Sequence, residues 1–258
     1  IDRGAYMSNR FTDDTMLEMG HIAPHGRFVH VYLNGTYWGM YHLRERWNEA
    51  MASEYLGGSK ADYEAINANN SGSEFLQGVV FDGSGKYWTE TRNLINGNSP
   101  FKASANHIDI PNVIDFMLLW TSGNSESEFR SVGSVPLGIP FKFFMKDADG
   151  FLRNPGHPVT HNGPLNSLTR FRREEDPDYK VLLADQIHKH FFNNGAMTPG
   201  RLTSRLQRRV DEVKIPFLAE AARWTNVRGG RANHSPVSWE SYQNNLLNNQ
   251  LPRLTASM

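Results

Sequence analysis

Two short runs of alternating apolar and polar residues lie on either side of Asn34 and Gly35, and together they predict a β-hairpin. The runs read RFVHVYL and TYWGMYHLRE, and both are rich in β-branched and aromatic side chains. Asn-Gly is the strongest short signal for a two-residue hairpin turn, because such a turn needs positive φ angles at both central residues. Alternation puts Val29 and Val31 on one face of the first strand, and Met40 and His42 on one face of the second.

Helical periodicity dominates the rest of the chain. It predicts helices over about 47–55, 86–95, 110–123, 179–193, 199–224 and from about 239 onward. The strongest pattern is IPNVIDFMLLWTSG, where Asp109 can cap the start and Pro111 suits the first turn. A short strand, PFKFFM, follows and ends in the turn DADG. Strands that precede most of the helices indicate an α+β fold.

Composition excludes several classes of function. The 258 residues carry 27 Lys and Arg against 27 Asp and Glu, so the net charge gives no footprint for nucleic acid or an anionic membrane. Cysteine is absent, which excludes disulfides and thiol chemistry, and no apolar run approaches the ~18 residues that span a bilayer. The opening IDRGAYMSNRF is neither an initiator methionine nor a signal peptide, so flanking domains of a longer chain are expected.

The segment FKFFMKDADG is a candidate metal site. An apolar strand ends here in two carboxylates, Asp147 and Asp149, followed by glycine. Carboxylate oxygens suit the hard cation Mg²⁺, and a strand end fixes their direction while it leaves coordination positions open for phosphates. The alternative is an ordinary turn, because Asp and Gly are common turn residues.

A polar loop, SGNSESEF, follows the long helix and carries Asn124, Glu126 and Glu128. Helix, polar loop, strand and acidic turn come here in the order that protein kinases use for their catalytic loop and metal-binding aspartate. The alternative is a solvated loop with no role in chemistry.

Histidines offer a competing metal site. His157 and His161 are four residues apart, and His21, His25 and His30 lie close together in the sequence. Two histidines at that spacing on a helix form a metal pair, but the prolines around the first pair argue against a helix.

A basic stretch, RLTSRLQRRVDEVK, is predicted to be helical. Its arginines, Arg201, Arg205, Arg208 and Arg209, form either a solvated face or ion pairs with acids of another part of the fold.

Four ordered blocks of the sequence resemble the CotH family, the spore-coat-protein-H-like atypical protein kinases. The first is FVHVYLNGTYWGMYHLRERWNEAMASEYLGG, which is similar to the family's signature hairpin; the others are IPNVIDFMLLWTSGN, FKFFMKDADGFLR and LLADQIHKHFFNNGAMTP. The resemblance implies one kinase-like domain. Residues 1–108 would form part of an N-terminal lobe with the hairpin at 28–45, and residues 109–258 a mainly helical lobe.

The resemblance also implies a site for ATP and Mg²⁺ or Mn²⁺ between the lobes. Asp147 and Asp149 match the family's metal-binding turn, and Asn124 and Glu126 fall on its catalytic loop. Glu45 matches the glutamate that closes the family's hairpin, which suits a role in orienting a basic residue that binds phosphate.

The sequence departs from the family pattern in two places. Glu126 stands where the family has aspartate, and its side chain is one methylene longer, an error in reach that can cost on the order of a hundredfold in rate. The basic residues expected upstream in the nucleotide lobe are not recognisable, and Lys142 and Lys146 follow the catalytic-loop segment, which is the wrong place for that role.

The expected function is transfer of phosphate from ATP to Ser or Thr of secreted or surface proteins. The resemblance implies a bacterial, extracytoplasmic location, in which the protein is secreted, on the cell surface or in the spore coat. Two alternatives stay open: a catalytically weakened kinase-like module with a binding or structural role, and a metal-dependent hydrolase that uses Asp147, Asp149 and His157 or His161.

Overall fold

The computed structural model describes residues 6–68, 79–96, 104–123, 129–151, 176–224 and 235–254. Within them the chain combines helices with two small antiparallel sheets, one of two strands and one of four. The predicted α+β class is therefore confirmed.

The predicted hairpin forms the two-stranded sheet. Strands β1 (Gly26–Leu33) and β2 (Thr36–Arg44) pair antiparallel, and Asn34 and Gly35 have φ angles of 50° and 79° in the turn between them. Met40 is buried on the inner face, as alternation predicts, because this face packs on a helix from the far end of the chain. The hairpin is therefore fixed to the rest of the fold along one side.

The second sheet has the strand order β4-β3-β5-β6 and is antiparallel throughout. Its strands are β3 (Glu64–Ala68), β4 (Val79–Asp82), β5 (Phe129–Ser134) and β6 (Ile139–Met145). Only β6 was predicted from the sequence. The proposed division of the chain at residue 108 stays a prediction, and this sheet pairs strands from both sides of that point.

The helices largely follow the predicted periodicity. They are α1 (Ser8–Glu18), α2 (Glu49–Leu56), α3 (Lys86–Asn96), α4 (Ile110–Gly123), α5 (Pro177–Phe191), α6 (Pro199–Trp224) and α7 (Pro236–Asn245), which continues through a π-helical turn (Leu246–Gln250) into a last turn (Leu251–Leu254). None of the helices in the described residues is long and apolar enough to cross a membrane.

Helix α1 was not predicted, because most of its buried side chains are polar and only Phe11 and Met16 are apolar. Arg10, Thr12, Asp13 and Thr15 are all almost completely buried. Buried polar groups are tolerated where they find hydrogen-bond partners, and within α1 Arg10 Nε donates to Asp14 Oδ1 at 3.0 Å. A test for hydrophobic periodicity therefore misses this largely buried helix.

Hydrogen bonds to the backbone of strand β6 join helix α4 to this strand. The backbone N–H of Asp109 donates to the carbonyl of Phe141 at 3.0 Å, just before α4 begins. One turn later the buried Asn112 accepts the Phe143 N–H at 2.6 Å and donates to the Phe143 carbonyl at 3.3 Å. The two elements that lead into the polar loop and the acidic turn are thus held in a fixed relation.

Candidate functional site

The acidic turn, residues 147–150, follows β6 with Lys146 between them. Asp147 has φ 50° and ψ 55°, a left-handed conformation that ends the strand, and a 3₁₀ turn (Ala148–Gly150) begins after it. The Asp147 side chain is exposed, whereas Asp149 is half-buried. The sequence prediction of a strand that ends in a carboxylate-bearing turn is confirmed, and the metal-binding role of both aspartates stays a prediction.

Asn9 of α1 holds this turn from one side. Its Oδ1 accepts the Ala148 N–H at 3.0 Å, and its Nδ2 donates to Asp149 Oδ1 at 2.7 Å. Nearby, the rings of Phe11 and Phe151 lie 6.0 Å apart. One helical residue therefore fixes both the backbone of the turn and the direction of one of its carboxylates.

Arg44 joins the end of the hairpin to the end of β6. Its Nε and Nη2 each donate to a different Asp13 carboxylate oxygen at 2.7 Å, and Nη2 also donates to the Met145 carbonyl at 3.2 Å. Burial raises the pKa of Asp13 to about 6, although the Arg44 guanidinium acts in the opposite direction. Asn9 and Asp13 are four residues apart, so one face of α1 contacts both the acidic turn and the hairpin.

A cavity of about 220 Å³ lies between the end of the hairpin, the start of β5 and the end of β6. Four of its lining side chains are cationic, namely Arg44, Arg46, Arg130 and Lys146. Among the described lining residues, Glu45 supplies the one carboxylate. We call this space the basic cavity, and its charge suits an anion rather than a cation.

Aromatic packing and hydrogen bonds hold the lining residues Trp47 and Arg130 of the basic cavity in place. Trp47 is 4% exposed, and its ring stacks on Phe144 with centroids 3.5 Å apart. Arg130 Nη1 donates to the Trp47 carbonyl at 3.3 Å, and the Arg130 guanidinium lies 5.3 Å from the ring centre of Phe81. The position of this guanidinium is thus fixed by two contacts.

Glu45 lies in the wall of the basic cavity and is itself exposed. Its Oε2 accepts the His25 N–H at 2.7 Å, and its Oε1 accepts the Tyr55 hydroxyl at 3.0 Å. Alternation along a strand would place the neighbours Arg44 and Glu45 on opposite faces, but both residues line the same cavity. Strict alternation does not extend to Glu45, because β2 ends at Arg44.

A second cavity, of about 300 Å³, has the opposite charge character. Its lining includes Asp62, Glu64 and Glu90, with Lys86 as the basic residue among the described lining residues. Glu64 has a structural role here, because its two oxygens accept the N–H groups of Tyr87 and Trp88 in the first turn of α3, at 3.3 and 2.8 Å. Of the two cavities, only the basic cavity suits phosphate.

The early histidines do not converge. His21 Nε2 lies 2.6 Å from Asp115 Oδ2, His25 stacks on Tyr55, and His30 contacts Tyr37. Within the described ranges, no group of three or more His, Asp or Glu side chains is arranged to hold a metal ion. His157 and His161, the other proposed pair, lie outside the described residues, as do Asn124, Glu126 and Glu128.

The donor set of the acidic turn is compatible with Mg²⁺ that is shared with a phosphate ligand. Mg²⁺ is usually bound by one or two carboxylates together with waters and substrate phosphates, rather than by a complete protein cage. Two carboxylates on one turn, next to a cavity lined by four cations, provide the protein's share of such a site. A site built from protein ligands alone would need more carboxylates than this turn supplies.

The family model described as CotH kinase protein matches residues 1–121. The match supports a CotH-family assignment for these residues, which make up slightly less than half of the chain. It includes α1, the hairpin, α2 and most of α4, and therefore covers Asn9, Arg44, Glu45 and Arg46. The CotH match indicates a kinase-like function, whereas the acidic turn and Arg130 lie beyond the matched residues. The comparison with curated proteins gave no match.

Sequence reasoning missed the basic residues of the cavity. These residues were expected upstream in the nucleotide lobe, and Lys142 and Lys146 were excluded because they follow the catalytic-loop segment. Arg46 lies two residues after Arg44 in the CotH-like block. This pair of arginines was the feature of the sequence that could have indicated a phosphate-binding site. Arg130 carries no such signal, because β5 was not predicted.

Proposed function

We propose that the chain is a CotH-type phosphotransferase that binds ATP together with Mg²⁺ or Mn²⁺. The observation that carries this proposal is the continuity of the basic cavity with the acidic turn. Met145 and Lys146 line the cavity, and Asp147 is the next residue. Cations for phosphate oxygens and carboxylates for a divalent metal thus occupy adjacent positions, as phosphoryl transfer requires.

Each group has a distinct role in this account. Arg46, Arg130 and Lys146 bind phosphate oxygens, and Glu45 is held in the cavity wall by hydrogen bonds from the His25 N–H and the Tyr55 hydroxyl. Asp147 and Asp149 hold the metal. When bound, Mg²⁺ neutralises charge on the phosphates and aligns the terminal phosphoryl group for in-line attack. Arg44 keeps the hairpin and β6 together, so that both halves of the site stay aligned.

The remaining parts of the proposal follow from the resemblance to CotH proteins. Asn124 and Glu126 would supply the catalytic loop of a two-lobed, kinase-like domain, with Glu126 as the base toward a Ser or Thr hydroxyl of a protein substrate. Helix α4, which is fastened to β6 through Asn112, leads directly into this loop. A secreted, cell-surface or spore-coat location is part of the same proposal, as are flanking domains.

Calorimetric titration of ATP into the protein, with and without Mg²⁺, tests the central part of this function. We expect tighter binding with Mg²⁺ than without it in the wild type. In Asp147→Asn this difference should disappear, because the variant loses one of the two carboxylate charges on the turn. Asp185→Asn, which removes an exposed carboxylate of α5, serves as the matched control and should bind as the wild type does.

Together with an assay of phosphate transfer, the titration also distinguishes a kinase from a weakened binding module. Mg²⁺-dependent binding without phosphate transfer to protein hydroxyls would favour a catalytically weakened binding module, for which the longer Glu126 provides a reason. Binding that is the same with and without Mg²⁺, or absent from the wild type, would contradict the proposed site.

A further inference from the structure

We propose that Asn9 is a positioning residue that sets the metal affinity of the acidic turn by orienting the Asp149 carboxylate. The inference rests on the proposed function, because it assumes that the turn holds a divalent cation. It goes further by assigning this role to a residue of α1, 140 positions away from Asp149 in the sequence.

The Asn9 side chain uses both ends of its amide on the same turn. Its carbonyl oxygen accepts the Ala148 N–H at 3.0 Å, and its N–H donates to Asp149 Oδ1 at 2.7 Å. The first bond fixes the backbone, and the second fixes the rotation of the carboxylate relative to that backbone. An amide accepts through its oxygen and donates through its nitrogen without adding a charge, so it can bind two different groups at once.

A group that directs a ligand must itself be held rigidly, and α1 meets this requirement. Asp13, one turn after Asn9, binds both Nε and Nη2 of Arg44. On the same helix Asp14 accepts from Arg10 at 3.0 Å and from Arg209 of α6 at 2.6 Å. Movement of Asn9 relative to the turn is therefore restricted by charge-assisted contacts to two other elements.

Orientation of this kind affects metal binding more than it affects folding. Mg²⁺ and Mn²⁺ demand oxygen donors at well-defined positions, and partners that hydrogen-bond a ligating carboxylate typically alter metal affinity by about 10–100-fold when they are removed. A carboxylate that rotates freely would have to lose that freedom each time a metal binds. Loss of Asn9 should therefore weaken the metal complex while the turn still forms.

Asn48 provides a matched control for the structural part of Asn9's role. Its Oδ1 accepts the Met51 N–H at 3.0 Å at the start of α2, the same distance at which Asn9 accepts the Ala148 N–H. Both asparagines are half-buried. Asn48→Ala and Asn9→Ala each remove one amide that satisfies a backbone N–H, but only Asn9 also contacts a predicted metal ligand.

The test is Mn²⁺ binding followed by electron paramagnetic resonance in the presence of ATP, together with the thermal unfolding midpoint without metal. Wild type, Asn9→Ala, Asn9→Gln and Asn48→Ala are compared, with Asp147→Asn as the variant that removes a predicted ligand. We expect Asn9→Ala to raise the Mn²⁺ dissociation constant by about tenfold or more. Asn9→Gln keeps the amide one methylene further from α1 and should raise the dissociation constant less. Asn48→Ala should leave the dissociation constant unchanged.

Equal Mn²⁺ affinity in wild type and a folded Asn9→Ala would overturn the role of Asn9 but leave the proposed function intact. If Asn9→Ala and Asn48→Ala weakened Mn²⁺ binding equally, the role of Asn9 would be overturned as well, because a general loss of stability would then explain both results. If Asn9→Ala does not fold, Asn9→Gln is measured instead. An Mn²⁺ affinity equal to that of the wild type in Asn9→Gln would then contradict the proposal. No ATP-dependent Mn²⁺ binding in the wild type, or the same binding in Asp147→Asn, would instead refute the proposed function on which the inference depends.

Discussion

Two arginine-rich regions of this protein use the same side chain for different purposes. At the contact between α1 and α6, which we call the α1–α6 interface, Arg205 and Arg209 meet Glu18 and Asp14 at 2.6 Å in both cases. In the basic cavity, four cationic side chains surround a space of about 220 Å³ that has one carboxylate among its described lining residues. The interface brings opposite charges together within the chain, whereas the cavity concentrates charge of one sign around a space.

This difference shows that arginine content alone does not reveal whether a region stabilises the fold or binds a ligand. Of the two alternatives for the arginines of RLTSRLQRRVDEVK, Arg205 and Arg209 form ion pairs with acids at the α1–α6 interface, which is therefore structural. The basic cavity resembles a phosphate site because its cations converge from the hairpin, β5 and the end of β6. Variants of the two regions should therefore change different measured quantities.

The largest effect is expected at the α1–α6 interface. Arg205 has a side chain only 1% exposed and donates to Glu18, to the Thr15 hydroxyl and to the Ala196 carbonyl. Arg205→Ala should lower the free energy of unfolding by about 3 kcal/mol, because it leaves buried acceptors without their donor. Denaturant unfolding measures this loss. ATP affinity, measured where the variant is folded, should stay near the wild-type value; a large loss of affinity would erase the distinction between the two regions.

A smaller effect on binding is expected in the basic cavity. Arg46 is exposed and lines the cavity, with its guanidinium 6.0 Å from the ring centre of Phe81. Arg46→Ala should weaken binding of ATP with Mg²⁺ by about tenfold, the loss of one charge-assisted hydrogen bond. Its free energy of unfolding should stay within about 0.5 kcal/mol of the wild type, because surface substitutions rarely change stability by more.

Arg208→Ala is the matched control for that experiment. Arg208 belongs to the α1–α6 interface, its side chain is 63% exposed, and it lies 3.9 Å from Asp14, so it contributes little to stability. The variant should leave both ATP affinity and stability unchanged. If Arg46→Ala and Arg208→Ala weakened ATP binding equally, the attraction would be a general effect of charge rather than a property of the cavity.

The smallest effect concerns His42, which lies near the arginines of both regions. Burial lowers the pKa of His42 to about 4, and Arg44, Arg10 and Arg209 act in the same direction. The unfolded chain therefore binds a proton on this histidine from about pH 6.5 downward while the folded chain does not, so protonation costs stability as the pH falls from 6.5 toward 4. His42→Phe keeps a ring next to Phe28, whose centroid lies 5.1 Å from that of the histidine.

Thermal unfolding midpoints from pH 7.5 to pH 4.5 measure this effect. Asp13 titrates in the same window in both proteins, so the difference between wild type and His42→Phe isolates the histidine. Acidification from pH 7 to pH 5 should lower the wild-type midpoint by about 2–4 °C more than that of the variant. Parallel curves for the two proteins would show that His42 does not titrate in this window.

The sequence predicted those elements whose buried face is apolar or whose turns carry a clear signal. The bounds of α6 and the cap of α4 by Asp109 agree with the structure, because helix periodicity and capping are local properties. Helix α1 was missed because most of its buried side chains, such as Arg10, Thr12 and Asp13, are polar. Strands β3 and β5 were missed because they are short and pair with each other across more than 60 residues of chain.

The candidate site was predictable only in part. Asp147, Asp149 and Glu45 carry local signals: a strand end with two carboxylates, and a hairpin end. The bond from Asn9 to Asp149 joins residues 140 positions apart, and no periodicity or spacing reports such a contact. The same holds for Arg130, which reaches the cavity only because β5 lies beside β6.

The most direct test of the central claim, that the basic cavity and the acidic turn form one site, is a crystal structure with Mn²⁺ and a non-hydrolysable ATP analogue. Anomalous scattering locates the metal, and electron density locates the phosphates. The account predicts Mn²⁺ bound by Asp147 and Asp149, with the phosphates against Arg46, Arg130 and Lys146. Nucleotide bound elsewhere, or Mn²⁺ away from the acidic turn while the phosphates occupy the cavity, would contradict it.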